Sequence, residues 1–329
     1  MWAQMLAAPT RFEQVETATP TVSELAEGEV LLRTLAGGIC GSDLPYFRGQ
    51  LPLPWGAAAP LSVVRSPGFP MHEVVGEVVA SKSAAFDVGA KVVGWASRAN
   101  AIAEYVVTAA VGLAHYDPRL APGTAVMLQP LACVLDAAAR IPSMKGRDVV
   151  VLGLGPIGLL FGHVARAMGA RRVRGVDRVA RHDLADHFGF VETIHAASDN
   201  WVATLDDTDR PEIVIEAIGH QQSTLGHAVG ALAPEGLLYY FGIPDDANYS
   251  VPLQALLRKN LTFMTGITVR KQEALTRASE YLSRFPAVAD RYVTDRFKPS
   301  EATRAYEIAA SPSEGRVKVI LEMDRPANL

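Results

Sequence analysis

Cys40, Ser42 and Asp43 fall together in "GGICGSDLPYFRG", His72 and Glu73 are adjacent in "PGFPMHEVVGEVV", and Gln129 begins "QPLAC". A thiolate, an imidazole and a carboxylate make up the mixed sulfur, nitrogen and oxygen set that zinc accepts in tetrahedral geometry. Asp43 follows Cys40 by three residues and can orient His72 by bonding the ring nitrogen that faces away from a metal. Each residue also has an ordinary structural reading. Cys40 can be a small core side chain, His72–Glu73 an exposed turn, and Gln129 a loop glutamine. The chemical reading gains weight because all of them precede one nucleotide-binding pattern.

That pattern is "VVVLGLGPIGLLFG", with Gly153, Gly155 and Gly158 in G-x-G-x-x-G spacing and Pro156 and Ile157 between the last two. The motif is weak alone, but here it follows a Val-rich strand and opens a helix. The first glycine permits the tight turn, the second lets backbone approach a pyrophosphate, and the third lets helix and strand pack closely. Free N–H groups at the helix start favour phosphate. Asp177 ends the next expected strand, 19 residues after Gly158. Its carboxylate suits the two adenine-ribose hydroxyls of NAD and opposes the 2′-phosphate of NADP. Arg178, beside it, pulls the other way, because a guanidinium can meet that phosphate or stack on adenine.

The elements that must carry these residues divide the chain. The first ~125 residues hold short β-rich runs between Gly and Pro turns, which predicts a compact, mainly β domain. From about residue 148 strands and helices alternate, as in a parallel α/β sheet. "DVVVLGLG", "RRVRGVD", "PEIVIEAIG" and "LLYYFGIP" read as strands. "PIGLLFGHVARAMGA", "RHDLADHFG" and "HQQSTLGHAVGALAPEG" read as helices or helix-bearing segments. "GLLYYFGIPDDANYSV" reads as an edge strand of the cofactor sheet, and edges are often covered by a partner. "RVKVILEM" is a terminal strand that returns to the first domain.

Composition narrows the classes. At 49% hydrophobic and 20% charged, the 329-residue chain has a soluble globular profile. A net charge of −4 without a basic block gives no footprint for nucleic acid or an anionic membrane. No apolar run reaches the ~20 residues needed to span a bilayer, and the N-terminus lacks the features of a signal peptide. Two cysteines, Cys40 and Cys133, fit a reducing cytoplasm and cannot form a four-cysteine zinc lobe.

Taken together, the motifs resemble the medium-chain dehydrogenase/reductase superfamily, in its zinc-dependent alcohol and polyol branch that includes sorbitol, threonine and glucose dehydrogenases. The resemblance runs over nearly the whole chain: Cys-Gly-Ser-Asp at 40–43, His-Glu at 72–73 with Gly76, "VGAKVVG" at 88–94, "AEY" at 103–105, "QPLA" at 129–132, "GLGPIG" at 153–158 and "GRVKVIL" at 315–321. It implies an α/β chain. A GroES-like, mainly β catalytic domain would comprise residues 1–125 and 268–329, and a Rossmann doubly wound parallel-sheet domain residues 126–267. It implies hydride transfer between a small secondary alcohol and NAD at one catalytic zinc, in a homodimer or homotetramer. By position, Cys40 and His72 would be metal ligands, Glu73 a ligand or close neighbour, and Ser42 the partner of the substrate oxygen.

The chain departs from that branch in informative places. Gln129 stands where sorbitol and threonine dehydrogenases usually have Glu; in the glucose dehydrogenase branch a glutamine there serves as a zinc ligand. Thiolate and carboxylate already cancel the dication, so a neutral Gln129 leaves the centre near neutrality and the metal a stronger Lewis acid. The structural zinc lobe is replaced by the short "GWASRANAIA". Pro45 stands where many relatives have a relay histidine, and Tyr46 is a further candidate cleft residue. The Glu73/Gln129 pair points to a polyol, sugar, cyclitol or related substrate, while Trp55 and Trp95 could form an apolar wall. The alternatives are a zinc-free NADPH-dependent quinone or enoyl reductase on the same fold, and a non-catalytic nucleotide-binding protein.

Overall fold

The computed structural model describes residues 1–50 and 65–323. The chain forms two compact units. One comprises Met1–Ala132, Arg270–Ser311 and Arg316–Leu329, and the other Cys133–Val269 with Pro312–Gly315.

The first unit is built on a seven-stranded sheet among the described residues. Its central strand, Glu29–Gly38, pairs antiparallel with Glu73–Ser81 on one side and Lys318–Glu322 on the other. Val74, Val75, Val78, Val30 and Leu32 are buried, so these Val- and Leu-rich runs form strands because β-branched side chains fit a pleated, covered surface. Register brings three chemically relevant positions together. Gly38 is paired with Glu73 across one ladder and with Ile320 across the other. Only glycine fits at this point, because a Cβ on Gly38 would collide with Glu73 Oε2 and come within 2.6 Å of Val126 Cγ1 and 2.9 Å of Lys318 Cε. The aromatic rings of Phe12, Phe47 and Tyr306 pack together in the same core.

The second unit contains a six-stranded parallel sheet. Its order is Glu192–His195, Arg172–Asp177, Asp148–Leu152, Ile213–Glu216, Leu237–Tyr240, Thr262–Thr265. Asp148–Leu152 is buried throughout, as expected where helices cover both faces of a parallel sheet. The fold class expected from the sequence is therefore the one observed.

Two local expectations are corrected. The segment "LLYY" is an interior strand, since Leu237–Tyr240 lies between Ile213–Glu216 and Thr262–Thr265. All four of its residues are buried, and a strand apolar on both faces suits the middle of a parallel sheet rather than its rim. The edge belongs to Thr262–Thr265, whose Phe263 is 40% exposed. The stretch "RHDLADHFG" forms a 3-10 turn at His182–Leu184 instead of an α-helix. There, burial of Phe188 and Phe190 around the left-handed Gly189 overrides modest local helix propensity.

Candidate metal and cofactor sites

The first unit gathers the donor residues from separate elements. Cys40 leads into a 3-10 turn, Gly41–Asp43. His72 immediately precedes the strand that Glu73 begins. One donor atom from each of Cys40, His72 and Glu73 lies within 4.8 Å of the other two, close enough to hold a single ion.

Asp43 ties this group together. It is 2% exposed. Its Oδ2 accepts a hydrogen bond from Cys40 N at 2.8 Å, and its Oδ1 lies 2.9 Å from His72 Nδ1. With Nδ1–H donating to the carboxylate, Nε2 is left with its lone pair for a metal. The imidazole feels two opposing influences: burial disfavours its charge, while the Asp43 charge and hydrogen bond, with a smaller contribution from Cys40, favour it. The second influence prevails, and the His72 pKa is raised well above the usual imidazole value.

Glu73 is 1% exposed, and its Oε1 accepts from Lys318 Nζ at 2.6 Å. Its Oε2 is buried without a hydrogen-bond partner among the described residues. A buried carboxylate oxygen left open costs free energy unless something satisfies it, and a cation held with Cys40 and His72 would do so. The donor set thus fits zinc by chemistry and by this open oxygen. Gln129 is buried, at 3% exposure, near the start of the helix Leu128–Ala138. Ser42 is half-buried on the turn beside Asp43.

The other positions of interest are dispersed. Pro45 is buried at the start of the short helix Leu44–Phe47. Tyr46 stacks edge-on against Phe69, and its hydroxyl pKa is raised by burial and by Asp43. Trp95 carries the ammonium of Lys271 over its ring at 5.2 Å, so that face is a cation–π partner. Trp55 lies outside the described residues.

In the second unit the glycine loop joins the strand Asp148–Leu152 to the helix Pro156–Ala167. Gly153 has φ +88° and packs against Ile218, a conformation and a closeness that suit glycine. A Cβ on Gly155 would meet nothing within 4 Å. Gly155 is also the helix N-cap, without a side-chain cap bond, and Pro156 stands at the helix start. Backbone N–H groups at this terminus therefore face a cradle suited to phosphate.

Asp177 ends the neighbouring strand. Its Oδ2 accepts from Leu154 N at 2.6 Å and its Oδ1 from Val179 N at 2.8 Å, so the carboxylate braces the glycine loop. Each oxygen still has a lone pair for a ribose hydroxyl. Arg178 is exposed, and its carbonyl accepts from His195 Nε2. The buried guanidinium here is Arg181, which donates to Ser313 O at 3.1 Å and lies in the fields of Asp177 and Asp183. Sequence reasoning chose the arginine adjacent to Asp177. The available signal for Arg181 was a second arginine about one helical turn further on. The partner of Glu73, Lys318, was also missed, although a lysine within the apolar "VKVIL" was visible.

Comparison with known proteins identifies the family. Residues 124–323 match the family described as Glucose dehydrogenase C-terminus, and residues 26–117 match the Alcohol dehydrogenase GroES-like domain. The chain belongs to the glucose dehydrogenase C-terminus family and, with its GroES-like domain, to the medium-chain dehydrogenase/reductase superfamily. It is similar to a glucose 1-dehydrogenase of Metallosphaera sedula, with 23% identity over 94% of this chain and 96% of the relative. A sorbitol dehydrogenase of Halalkalibacterium halodurans is 25% identical over 89% of this chain and 91% of its own. Among solved structures, an alcohol dehydrogenase from Thermus sp. ATN1 shares the fold. Its TM-score is 0.81 and its identity 23%, and the match covers 98% of this chain and 100% of that one.

Proposed function

We propose that the protein is a zinc-dependent dehydrogenase that transfers a hydride between a secondary alcohol and NAD, with a polyol, sugar, cyclitol or related small metabolite as substrate. The observation that carries this reading is the convergence of Cys40, His72 and Glu73 donor atoms within 4.8 Å. Cys40 and His72 would hold the metal, with Glu73 Oε2 and the Gln129 amide oxygen completing the set. When bound, zinc supplies Lewis-acid polarisation of the substrate oxygen. Asp43 holds His72 in the metal-binding tautomer, and Ser42 takes a hydrogen bond from the substrate hydroxyl and starts its proton on a path to solvent. Gly153, Gly155, Pro156, Ile157 and Gly158 form the pyrophosphate cradle, and Asp177 receives the adenine ribose. Arg178 and Arg181 are the cations beside that ribose.

Relatives named glucose 1-dehydrogenase and sorbitol dehydrogenase support a polyhydroxylated substrate. A site that hydrogen-bonds several hydroxyls can reject analogues lacking them. We further propose a cytoplasmic homodimer or homotetramer. No helix among the described residues is long and apolar enough to cross a membrane.

The test is zinc quantification on protein purified without chelator, followed by a panel of polyols, sugars and their ketones with NAD(H) and NADP(H). Absence of metal together with quinone or enoyl reduction would establish the zinc-free alternative. Cofactor binding without turnover of any substrate would point to a non-catalytic role.

A further inference from the structure

Lys318 opens a strand whose next three residues, Val319, Ile320 and Leu321, are apolar and buried, and the fold buries the lysine to 2% exposure. Its ammonium donates to Glu73 Oε1 at 2.6 Å and to Ile39 O at 2.9 Å. The missing Cβ of Gly38 leaves the space that the Glu73 carboxylate and the Lys318 side chain occupy together. An ion pair this deep is weak evidence for stability, since apolar side chains of similar volume often serve as well or better. Its position is more telling. The lysine takes one oxygen of the carboxylate whose other oxygen is open, beside Cys40 and His72.

We propose that Lys318 is a positioning residue of the metal centre, which clamps Glu73 by Oε1 so that only Oε2 can face the cation. This rests on the zinc reading above. The clamp has two consequences. Glu73 cannot turn both oxygens toward the metal. The ammonium also lowers the charge of the donor set from −2, for Cys40 thiolate and Glu73 carboxylate, to −1, so the centre binds its cation less tightly and leaves it more electrophilic.

The experiment uses the full chain as parent, Lys318→Met, Lys318→Gln and Lys318→Arg. Zinc affinity is measured by competition with a chromophoric chelator, the Co²⁺ form by its visible spectrum, and stability by melting with and without Zn²⁺. Lys318→Met removes both charge and clamp. It should bind zinc about tenfold tighter or more, because a like charge has left the neighbourhood of the dication. Its Co²⁺ bands should change as Glu73 swings toward the metal. Its metal-free form should melt below the parent and recover more than the parent does on adding zinc, since the cation satisfies the freed carboxylate.

Lys318→Gln keeps a donor for Oε1 although it, too, removes the counter-charge of Glu73, so it tests the same idea with a milder change if the methionine variant does not fold. It should bind zinc more tightly while keeping a parent-like Co²⁺ spectrum. Lys318→Arg should resemble the parent in zinc affinity. Parent-like zinc affinity in both neutral variants would overturn the proposal and leave the pair purely structural. A parent that takes up neither Zn²⁺ nor Co²⁺ would instead overturn the zinc reading itself, and the clamp with it.

Discussion

Asp43→Asn is the most direct test of how the proposed metal site is organised. Asp43 answers two donors with two separate oxygens, Cys40 N at 2.8 Å and the His72 ring at 2.9 Å. Asparagine has one oxygen and one amino group, so one of those donors must lose its acceptor. If the amide nitrogen faces His72, the ring must present Nδ1 as acceptor and carry its proton on Nε2, the tautomer that cannot bind metal through Nε2. If it faces Cys40 N instead, a buried donor is stranded, at about 1–3 kcal/mol of stability. Loss of a partner behind a histidine ligand typically costs about 10–100-fold in metal affinity, or about 1.4–2.8 kcal/mol.

The pH dependence has a definite sign. Asp43 and Cys40 raise the His72 pKa against the opposing effect of burial. In the metal-free protein the resulting stabilisation is fully present below the unfolded imidazole value and is lost as pH rises through the raised folded one. Metal requires the neutral ring, so proton competition should weaken zinc uptake as pH falls through that raised value. Asp43→Asn removes much of the cause, and proton competition should then begin at a lower pH. Its affinity deficit should accordingly be largest above that raised value and narrow on acidification. Chelator competition across pH, with melting of the metal-free proteins, measures both effects. Parent-like zinc affinity at every pH would refute the argument that Asp43 orients His72.

Other outcomes follow from the same geometry. Gln129→Glu should retain zinc but slow alcohol oxidation near neutral pH, displacing the pH–rate profile upward because a more anionic shell makes the metal a weaker acid; Gln129→Ala should lower metal retention or turnover instead, and two variants unchanged in metal content and turnover would place Gln129 outside the site. Gly155→Ala should leave melting nearly unchanged, since the added methyl enters open space, while titration shows weaker NAD(H) binding; unaltered binding would remove Gly155 from the cradle. Asp177→Ala should weaken NAD and relax discrimination against NADP, and it should also loosen the glycine loop through loss of the Leu154 bond. If the parent is already more efficient with NADP(H), the arginines outweigh Asp177. Elemental analysis should find one zinc per chain, as the sequence has only two cysteines and cannot build a second, four-cysteine site.

Much of the cofactor domain was legible in the sequence, because its signals are local. The spacing of Gly153, Gly155 and Gly158 after a run of valines specifies a strand, a tight turn and a helix within about one βα unit, and Asp177 closes the next strand at a readable distance. Cys40, His72 and Glu73 were also visible as donor types, since zinc chemistry restricts them to few residues. What remained out of reach depended on pairings distant in sequence. The order of the parallel sheet decided that Leu237–Tyr240 is interior and Thr262–Thr265 is the edge, a choice no single strand encodes. Burial of Phe188 and Phe190 decided that a helix-like stretch becomes a 3-10 turn. The ion pair on Glu73 was out of reach for the same reason. Lys318 is 245 residues from Glu73, and only two antiparallel ladders meeting at Gly38 bring its ammonium onto that carboxylate. Local chemistry names the donors, whereas long-range register determines which charges surround them.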